Sequence, residues 1–337
     1  MSNAEVYQRV TDIVKAKLQQ GVVPWRKPWT AAGGGRPVSM STGSCYQGVN
    51  ILLLALDAAD KGFTSPWWGT YNQIAERAGM VQRATGRGFK YWDSPDGTPR
   101  GVRAGEHGTR IVLAKKVFVK EKDPVTGEVT RKNVPLLRFF TVFNAAQADG
   151  LPAKYYPEKG QPVEQIKDGQ EVIDTYLGNG GPKLSHEAQN RACYRLADDS
   201  ITLPEKEQFK SAEGYYATAF HELGHSTGHP GRLNREAAQH YGEWKFGDKI
   251  YAREELVAEM TSAMLQAAAG IESEEQLDQS ASYVDNWLGA LDKDPQLVSH
   301  AASQASKAAD LILDQRQGEH DDQAEAEAED QPQRQAA

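Results

Sequence analysis

The sequence predicts an α+β protein in two parts, an α+β N-terminal half followed by a mostly helical half with a small sheet. Three observations carry this. Apolar residues recur at helical spacing over the first twenty residues and through most of the C-terminal half. Between Arg100 and Phe143 the pattern shifts to alternating strand-like runs around Asp123-Pro124-Val125-Thr126-Gly127, which reads as a hairpin turn. A stretch with three prolines and two glycines, 148–162, separates the halves. At 337 residues the chain has room for two domains, 1–150 and 151–316, each able to bury its own core.

In chain order, Met1 to Gln20 reads as a helix through Val6, Val10, Ile13, Val14 and Leu18. Gly21 to Trp29 contains two prolines and is expected to be extended, with Trp25 and Trp29 flanking Arg26 and Lys27. The apolar run Ile51 to Ala59 reads as a buried helix, and Trp67 to Tyr71 as the cap of another that runs through Ala78. Strands are expected over 109–120 and 136–143. The second half begins with a helix over 163–177 and short strands near 182–186, 192–196 and 199–204. Helices follow around His221 and over 253–269, 274–291 and 295–313. From Gln317 the chain carries seven acids and one Arg with almost no large apolar side chain, so 317–337 is expected to be a disordered acidic tail.

Charge is unevenly divided. Residues 1–150 hold 21 Lys and Arg against 12 Asp and Glu, a net +9, whereas residues 151–337 hold 17 against 34, a net −17. A basic, tryptophan-rich first half points to single-stranded nucleic acid, because bases stack on aromatic rings while cations follow the phosphates. Trp25, Arg26, Lys27 and Trp29 are the DNA-binding candidates, with an ordinary solvated basic face as the alternative. No apolar run approaches the roughly 20 residues of a membrane span, and the first twenty residues lack a signal-peptide core. Cys45 and Cys193 lie far apart in no metal-binding pattern and read as reduced thiols, so a cytoplasmic protein is expected.

The strongest motif is His221-Glu222-Leu223-Gly224-His225. Four residues apart on a helix, the two imidazoles share a face and can reach one metal ion, while Glu222 can take a proton from water there. Ser211 is a suitable N-cap, and Gly224, Gly228 and Pro230 loosen and then stop the helix. A catalytic zinc needs a third protein ligand. His229 is too far along the helix axis to share the ion. Glu254, Glu255 and Glu259 lie on the next helix, and Glu255 is assigned as the ligand, with Glu259 as hydrogen-bond acceptor for a ligand histidine. Glu254 competes for the ligand position, and all three would otherwise form a solvated acidic face.

Several stretches together carry a family resemblance. They are Gly21 to Trp25 with Pro28-Trp29, Tyr46 to Asn50, Trp68 to Tyr71, Gly105 to Thr109, and Phe143-Asn144 with Gln147. In the second half they are Tyr215 to Thr218 running into His221 to His229, Arg232-Leu233, and Glu254 to Glu259. Over about residues 1–313 the chain resembles the ArdC-type antirestriction proteins of conjugative plasmids, related also to the N-terminal part of TraC-type plasmid primases. The resemblance implies an N-terminal domain that binds single-stranded DNA with little sequence preference. It also implies a zincin-like metallopeptidase domain similar to SprT-type proteases, and a role in protecting incoming plasmid DNA from host restriction. Residues 81–100 look longer than the family's usual connection and carry nothing over; the acidic tail looks like an addition.

The expected cofactor is one zinc ion, or another divalent transition metal, on His221, His225 and Glu255, with Glu222 as the base. His229, His240 and Tyr241 are unranked candidates to stabilise an oxyanion, and 193–195 is a candidate edge strand for an extended substrate. The expected partners are single-stranded DNA and a protein substrate, with no membrane. The rival reading is a non-catalytic DNA-coating protein with a structural metal; a third has the tryptophans anchoring a protein partner.

Overall fold

The structure is a computed structural model that describes residues 2–25, 36–85, 90–122, 129–156, 168–236, 249–271 and 281–314. Arg26, Lys27, Trp29, His240, Tyr241, the turn at 123–127 and the acidic tail lie outside the described residues.

Helix α1, Asn3–Gln19, starts on a capping box in which Ser2 and Glu5 satisfy each other's backbone amides. Its buried stripe is Val6, Val10, Val14 and Leu18, one residue per turn. Helix α2, Val49–Lys61, buries residues on nearly every side and ends at Gly62, whose φ of 67° is the left-handed conformation that favours glycine. Around these lies a four-stranded sheet of β1 (Val38–Ser39), β2 (Trp67–Gly69), β6 (Thr109–Lys122) and β7 (Val129–Asn144), in the order β1-β2-β7-β6. Strands β6 and β7 form one long antiparallel ladder from Thr109↔Val142 to Lys122↔Val129. Trp67 to Gly69 do not cap a helix as expected. They form β2, and the cap of α3 (Tyr71–Arg77) is Thr70 in a capping box with Gln73. After Met80 comes a two-stranded antiparallel hairpin, β3 (Val81–Ala84) against β4 (Lys90–Asp93). A short pair, β5 (Gly101–Val102) and β8 (Ala148–Asp149), closes this half.

The second half opens with α4, Gly169–Gly178, capped by Asp168. A three-stranded sheet follows: β9 (Lys183–Glu187), β10 (Cys193–Arg195) and β11 (Ser200–Pro204), ordered β10-β11-β9, which leaves β10 at an edge. Four helices complete it: α5 (Ala212–Ser226), α6 (Lys249–Ala268), α7 (Ala281–Lys293) and α8 (Leu297–Ile312).

Two cores form rather than one per half: a small cluster of Met40, Ile74, Ala78, Ala145, Ala148, Leu151 and Tyr155, and a larger one shared between the halves. One continuous cluster joins Val10, Val14, Leu18, Trp25, Ile51, Leu52 and Trp68 of the first half to Ile201, Phe220, Leu256, Trp287 and Ala301 of the second. Polar links follow the same seam. Thr11 Oγ1 donates to the Pro295 carbonyl at 2.8 Å, and the Gly48 amide donates to Ser306 Oγ at 2.9 Å.

Trp25 corrects a second expectation. Rather than standing exposed for stacking with bases, it is 0 % accessible. Its ring packs edge-on against Trp287 with centroids 5.3 Å apart, and its indole N–H donates to Glu259 Oε2 at 2.7 Å. The chain after α1 brings Trp25 against the helical half, where the amphipathic indole finds both an apolar wall and an acceptor. Trp25→Ala is expected to destabilise the protein by about 3–5 kcal/mol, the usual cost of deleting a buried tryptophan. Urea unfolding checks this; unchanged stability would place the ring outside the core.

Candidate metal centre

The site is built where α5 crosses α6. Ser211 starts α5 by accepting the Gly214 amide at 3.1 Å, and the helix carries His221, Glu222 and His225 into its last two turns. Gly224 sits at the crossing. A Cβ there would lie 3.1 Å from the Ala258 Cα and 3.3 Å from the Thr261 Cβ, tighter than nine in ten such contacts, so the facing helix would have to give by a few tenths of an ångström. The missing methyl group lets α6 come close enough to present Glu255 to both histidines. Gly224 thus sets the spacing of the two helices; it does not loosen its own.

The three assigned ligand residues converge. His221 Nε2 and His225 Nε2 lie 3.1 Å apart, and the Glu255 carboxylate oxygens lie 3.7 and 3.6 Å from them. One donor atom from each falls within 4.8 Å of the others, and this is the group among the described residues that can hold a metal ion. Ligand atoms about 2.0–2.1 Å from a tetrahedral ion sit roughly 3.3 Å from one another, so the observed spacing suits such an ion with small adjustment.

Glu254 takes the place beside a histidine that was expected of Glu259. The carboxylate beside His225 Nδ1 is that of Glu254, 3.5 Å away and 1 % exposed, while Glu259 receives the Trp25 indole. Glu254 is also clamped by Arg235, whose Nε donates to Oε2 at 3.0 Å and whose second terminal nitrogen pairs with Oε1. Arg235 further donates to Thr227 Oγ1 at 2.6 Å and the Gly224 carbonyl at 2.9 Å, capping the end of α5. The acidic residues of α6 are therefore not a solvated face.

Glu222 is 6 % exposed, and its Oε2 accepts the backbone amide of Tyr194 on β10 at 2.7 Å. The Tyr194 ring is held in turn by its hydroxyl, which donates to Asp199 at 2.9 Å; Asp199 pairs with Arg232. His229 lies in the turn after α5, where its Nδ1 accepts the Gly231 amide at 3.0 Å, outside the three-residue cluster. Tyr251, one turn before Glu255, hydrogen-bonds that carboxylate. No motif marks Arg235 or Tyr251, and Tyr194 figures in the sequence only within the 193–195 edge strand. Only Tyr251 carried a local signal, being four residues ahead of Glu255 on a helix.

Burial raises the pKa of Glu222 and of Glu255, and for Glu255 the neighbouring carboxylates add to the rise. For His225 burial alone would lower the pKa, but Glu254, Glu255 and Glu222 together lift it above the ordinary imidazole value. Glu254 is likewise pushed up by burial, yet its bonds to His225 and Arg235 bring it below the usual carboxylate range. A cluster of two imidazoles and a carboxylate, with further carboxylates around it, has the chemistry to hold a divalent cation.

These features define a zincin-like metalloprotein, with two histidines on one helix and a carboxylate on the next. Residues 171–304 match the zincin-like metallopeptidase family, and residues 4–143 match the N-terminal domain of anti-restriction factor ArdC. Crystal structures of the antirestriction protein ArdC from plasmid R388 superpose on this chain with TM-scores of 0.67 (metal-free) and 0.66 (Mn(II)-bound). Sequence identity is 36 %, covering 92 % of this chain and 97 % of theirs. The chain belongs to the ArdC family of antirestriction proteins. It is also 37 % identical over 311 residues to a DNA primase TraC of Escherichia coli, but spans only 27 % of that protein's length. An uncharacterised protein of Sinorhizobium fredii, y4eC, is 32 % identical with 91 % of each chain covered. Among the described residues no helix is long and apolar enough to cross a membrane.

Two sets of variants test the centre. His221→Ala, His225→Ala and Glu255→Ala are each expected to remove most bound metal, read by elemental analysis of the purified protein. Glu254→Ala is expected to lower metal affinity by about 10- to 100-fold and to destabilise the fold by about 3–5 kcal/mol, because it strands buried Arg235. Gly224→Ala is the sharper probe. Alanine favours a helix by about 1 kcal/mol over glycine, yet the variant is expected to lose about 1–3 kcal/mol of stability from overpacking and to bind metal more weakly. A stabilised Gly224→Ala protein with unchanged metal affinity would show that the crossing does not set the site.

Proposed function

We propose that this protein is a cytoplasmic antirestriction factor that binds single-stranded DNA and carries a zinc-dependent endopeptidase centre. The single observation that carries the peptidase reading is Glu222, a buried carboxylate oriented by the Tyr194 amide beside the histidine and Glu255 cluster but not itself in the ligand set. A site that only staples the fold has no use for such a group.

A divalent ion held by His221, His225 and Glu255, zinc in this reading, would supply Lewis acidity, polarising a peptide carbonyl and making water easier to deprotonate. The chain's own residues do the rest. The Tyr194 amide fixes one oxygen of Glu222, leaving the other to take a proton from the attacking water. Burial, by raising the Glu222 pKa, makes it a stronger base for that step and a competent acid for the next. Glu222 then delivers the proton to the leaving amine, so that water adds across the C–N bond. Tyr251 is a hydroxyl donor within reach of the cluster and takes the oxyanion role in place of His229. Strand β10 lies at the sheet edge beside Glu222, where an extended substrate could run along it, with the Tyr194 amide already committed to Glu222.

Support for DNA binding comes from the basic first half and from family membership. Arg26, Lys27 and Trp29 remain in this proposal as contacts, whereas Trp25 leaves it. The relative from R388 keeps its fold metal-free as well as Mn(II)-bound, which favours an ion used in chemistry over one needed for folding.

Glu222→Gln preserves size and leaves the ligands untouched. The variant is expected to fold, bind metal and bind single-stranded DNA like the parent while losing proteolysis, self-cleavage included, by about 100-fold or more. The readouts are mass-spectrometric detection of cleaved proteins and a plasmid-transfer assay against a restricting host. Full protection by Glu222→Gln would leave DNA coating, with a dispensable zincin half, as the better account.

A further inference from the structure

With Trp25 in the core, the exposed aromatic surface of the first half lies elsewhere. Of the eight large hydrophobic side chains that stand exposed among the described residues, three fall between residues 71 and 91. Tyr71 is 45 % accessible, Val81 40 % and Tyr91 47 %. Tyr71 opens α3; Val81 and Tyr91 belong to the β3–β4 hairpin. The hairpin is fastened to the start of α3 by Trp92, whose indole N–H donates to Asn72 Oδ1 at 2.9 Å, which sets Tyr91 and Tyr71 on neighbouring elements.

The hairpin is unusual in what it does not bury. Every residue of β3 is exposed, as are Lys90 and Tyr91 of β4. The face that carries Arg83 and Tyr91 stands open, whereas Trp92 on the other face is half-buried and tied to α3; an exposed ring on so thin a ribbon suits an external partner. Directly across the ladder from Tyr91 is Arg83, and on the same face Val81 pairs with Asp93. Arg83 also bridges to Asp93 at 2.6 Å, which holds its guanidinium beside the tyrosine. Lys90 adjoins on the other face. Over residues 71–103 the chain carries six Lys and Arg against three Asp and Glu, within a half whose net charge is +9. Rings flanked by cations on a positive surface fit a flexible polyanion with stackable faces better than they fit an apolar protein surface.

We propose that the β3–β4 hairpin and the adjoining start of α3 form a single-stranded-DNA stacking platform. Tyr91 and Tyr71 stack on bases, while Lys90 and Arg83 face the backbone. This deepens the single-strand-binding reading above and rests on it, adding a surface that the connection read as unassigned in the sequence supplies. Because these side chains are exposed and outside the core, they can be changed without touching the fold.

The test uses the full-length protein and labelled oligo(dT), read by fluorescence anisotropy across a salt series. Tyr71→Ala and Tyr91→Ala are each expected to weaken binding by about 5-fold or more, with little change in salt slope. Tyr71→Phe and Tyr91→Phe, which keep a ring, are expected to bind like the parent. Lys90→Gln is expected to weaken binding modestly and to flatten the salt dependence by about 0.7 in the log–log slope, the signature of one lost phosphate contact. Ile13→Ala, which removes an exposed apolar residue of α1, should change nothing. If the parent binds oligo(dT) and both alanine variants bind equally well, the platform is overturned while single-strand binding stands. If the parent ignores oligo(dT) at low salt, the single-strand-binding reading fails and the platform with it, leaving the hairpin as a protein-docking surface.

Discussion

The close crossing of α5 and α6 at Gly224 is the constraint on which the rest of the site depends. A side chain there would press on Ala258 and Thr261 of α6, the helix that presents Glu255 to the histidines. The crossing is locked by charge as well as by shape. Arg235 binds carbonyls at the end of α5 and both oxygens of Glu254 on α6, while Glu254 reaches His225. A buried ion pair of this kind adds little net stability compared with a well-packed apolar pair, because both charges lose their hydration. Its value here is positional, since one guanidinium fixes the end of one helix, the register of the next and the orientation of a ligand imidazole.

How much of this was legible follows from which interactions are local. The histidine pair and Glu222 are separated by fixed steps on one helix, so periodicity alone brings them together. Glu255 was reachable because the next helix has its own periodicity, but the choice among Glu254, Glu255 and Glu259 was not fully determined. Residues one apart differ by only about 100° around the helix axis, and whether Glu254 or Glu259 faces a histidine depends on how the helices cross. That angle is set by Gly224, a glycine that a sequence reading takes for a helix breaker. Arg235 and the Tyr194 amide were invisible for a plainer reason. The first sits in a loop and the second is a backbone group, and neither has a residue-type signature.

The misreading of Trp25 has a similar origin. An extended segment rich in proline and basic residues looks solvated from within, because nothing in it specifies the wall it lies against. That wall is Trp287 and Glu259, more than 230 positions away in the chain. The same long-range packing explains why the two matched family segments do not behave as separate globules. Helices α1 and α2 lack enough partners within the first half to cover their apolar surface, and α7 and α8 complete the burial. The sequence boundary near residue 150 separates two compositions and two charges, but the core runs through it.

Three carboxylates within one site illustrate how environment alone divides labour among identical groups. Glu254 is saturated by a guanidinium and an imidazole, so it stays ionised and serves as a fixed anchor. Glu255 has the histidines on one side and other carboxylates around it, and burial together with those carboxylates raises its pKa. Glu222 is as buried as Glu254 but receives only one neutral amide hydrogen bond, so its charge is poorly compensated and its proton affinity is raised. A cation placed among the ligands would stabilise the ionised Glu255 far more than it would alter the anchored Glu254. Glu222 would remain the carboxylate with proton affinity to spare. Groups whose surroundings push their pKa values apart are those that separate into ligand, anchor and base. In the proposed mechanism that separation comes from two neighbours that no motif contains, Arg235 and the Tyr194 amide.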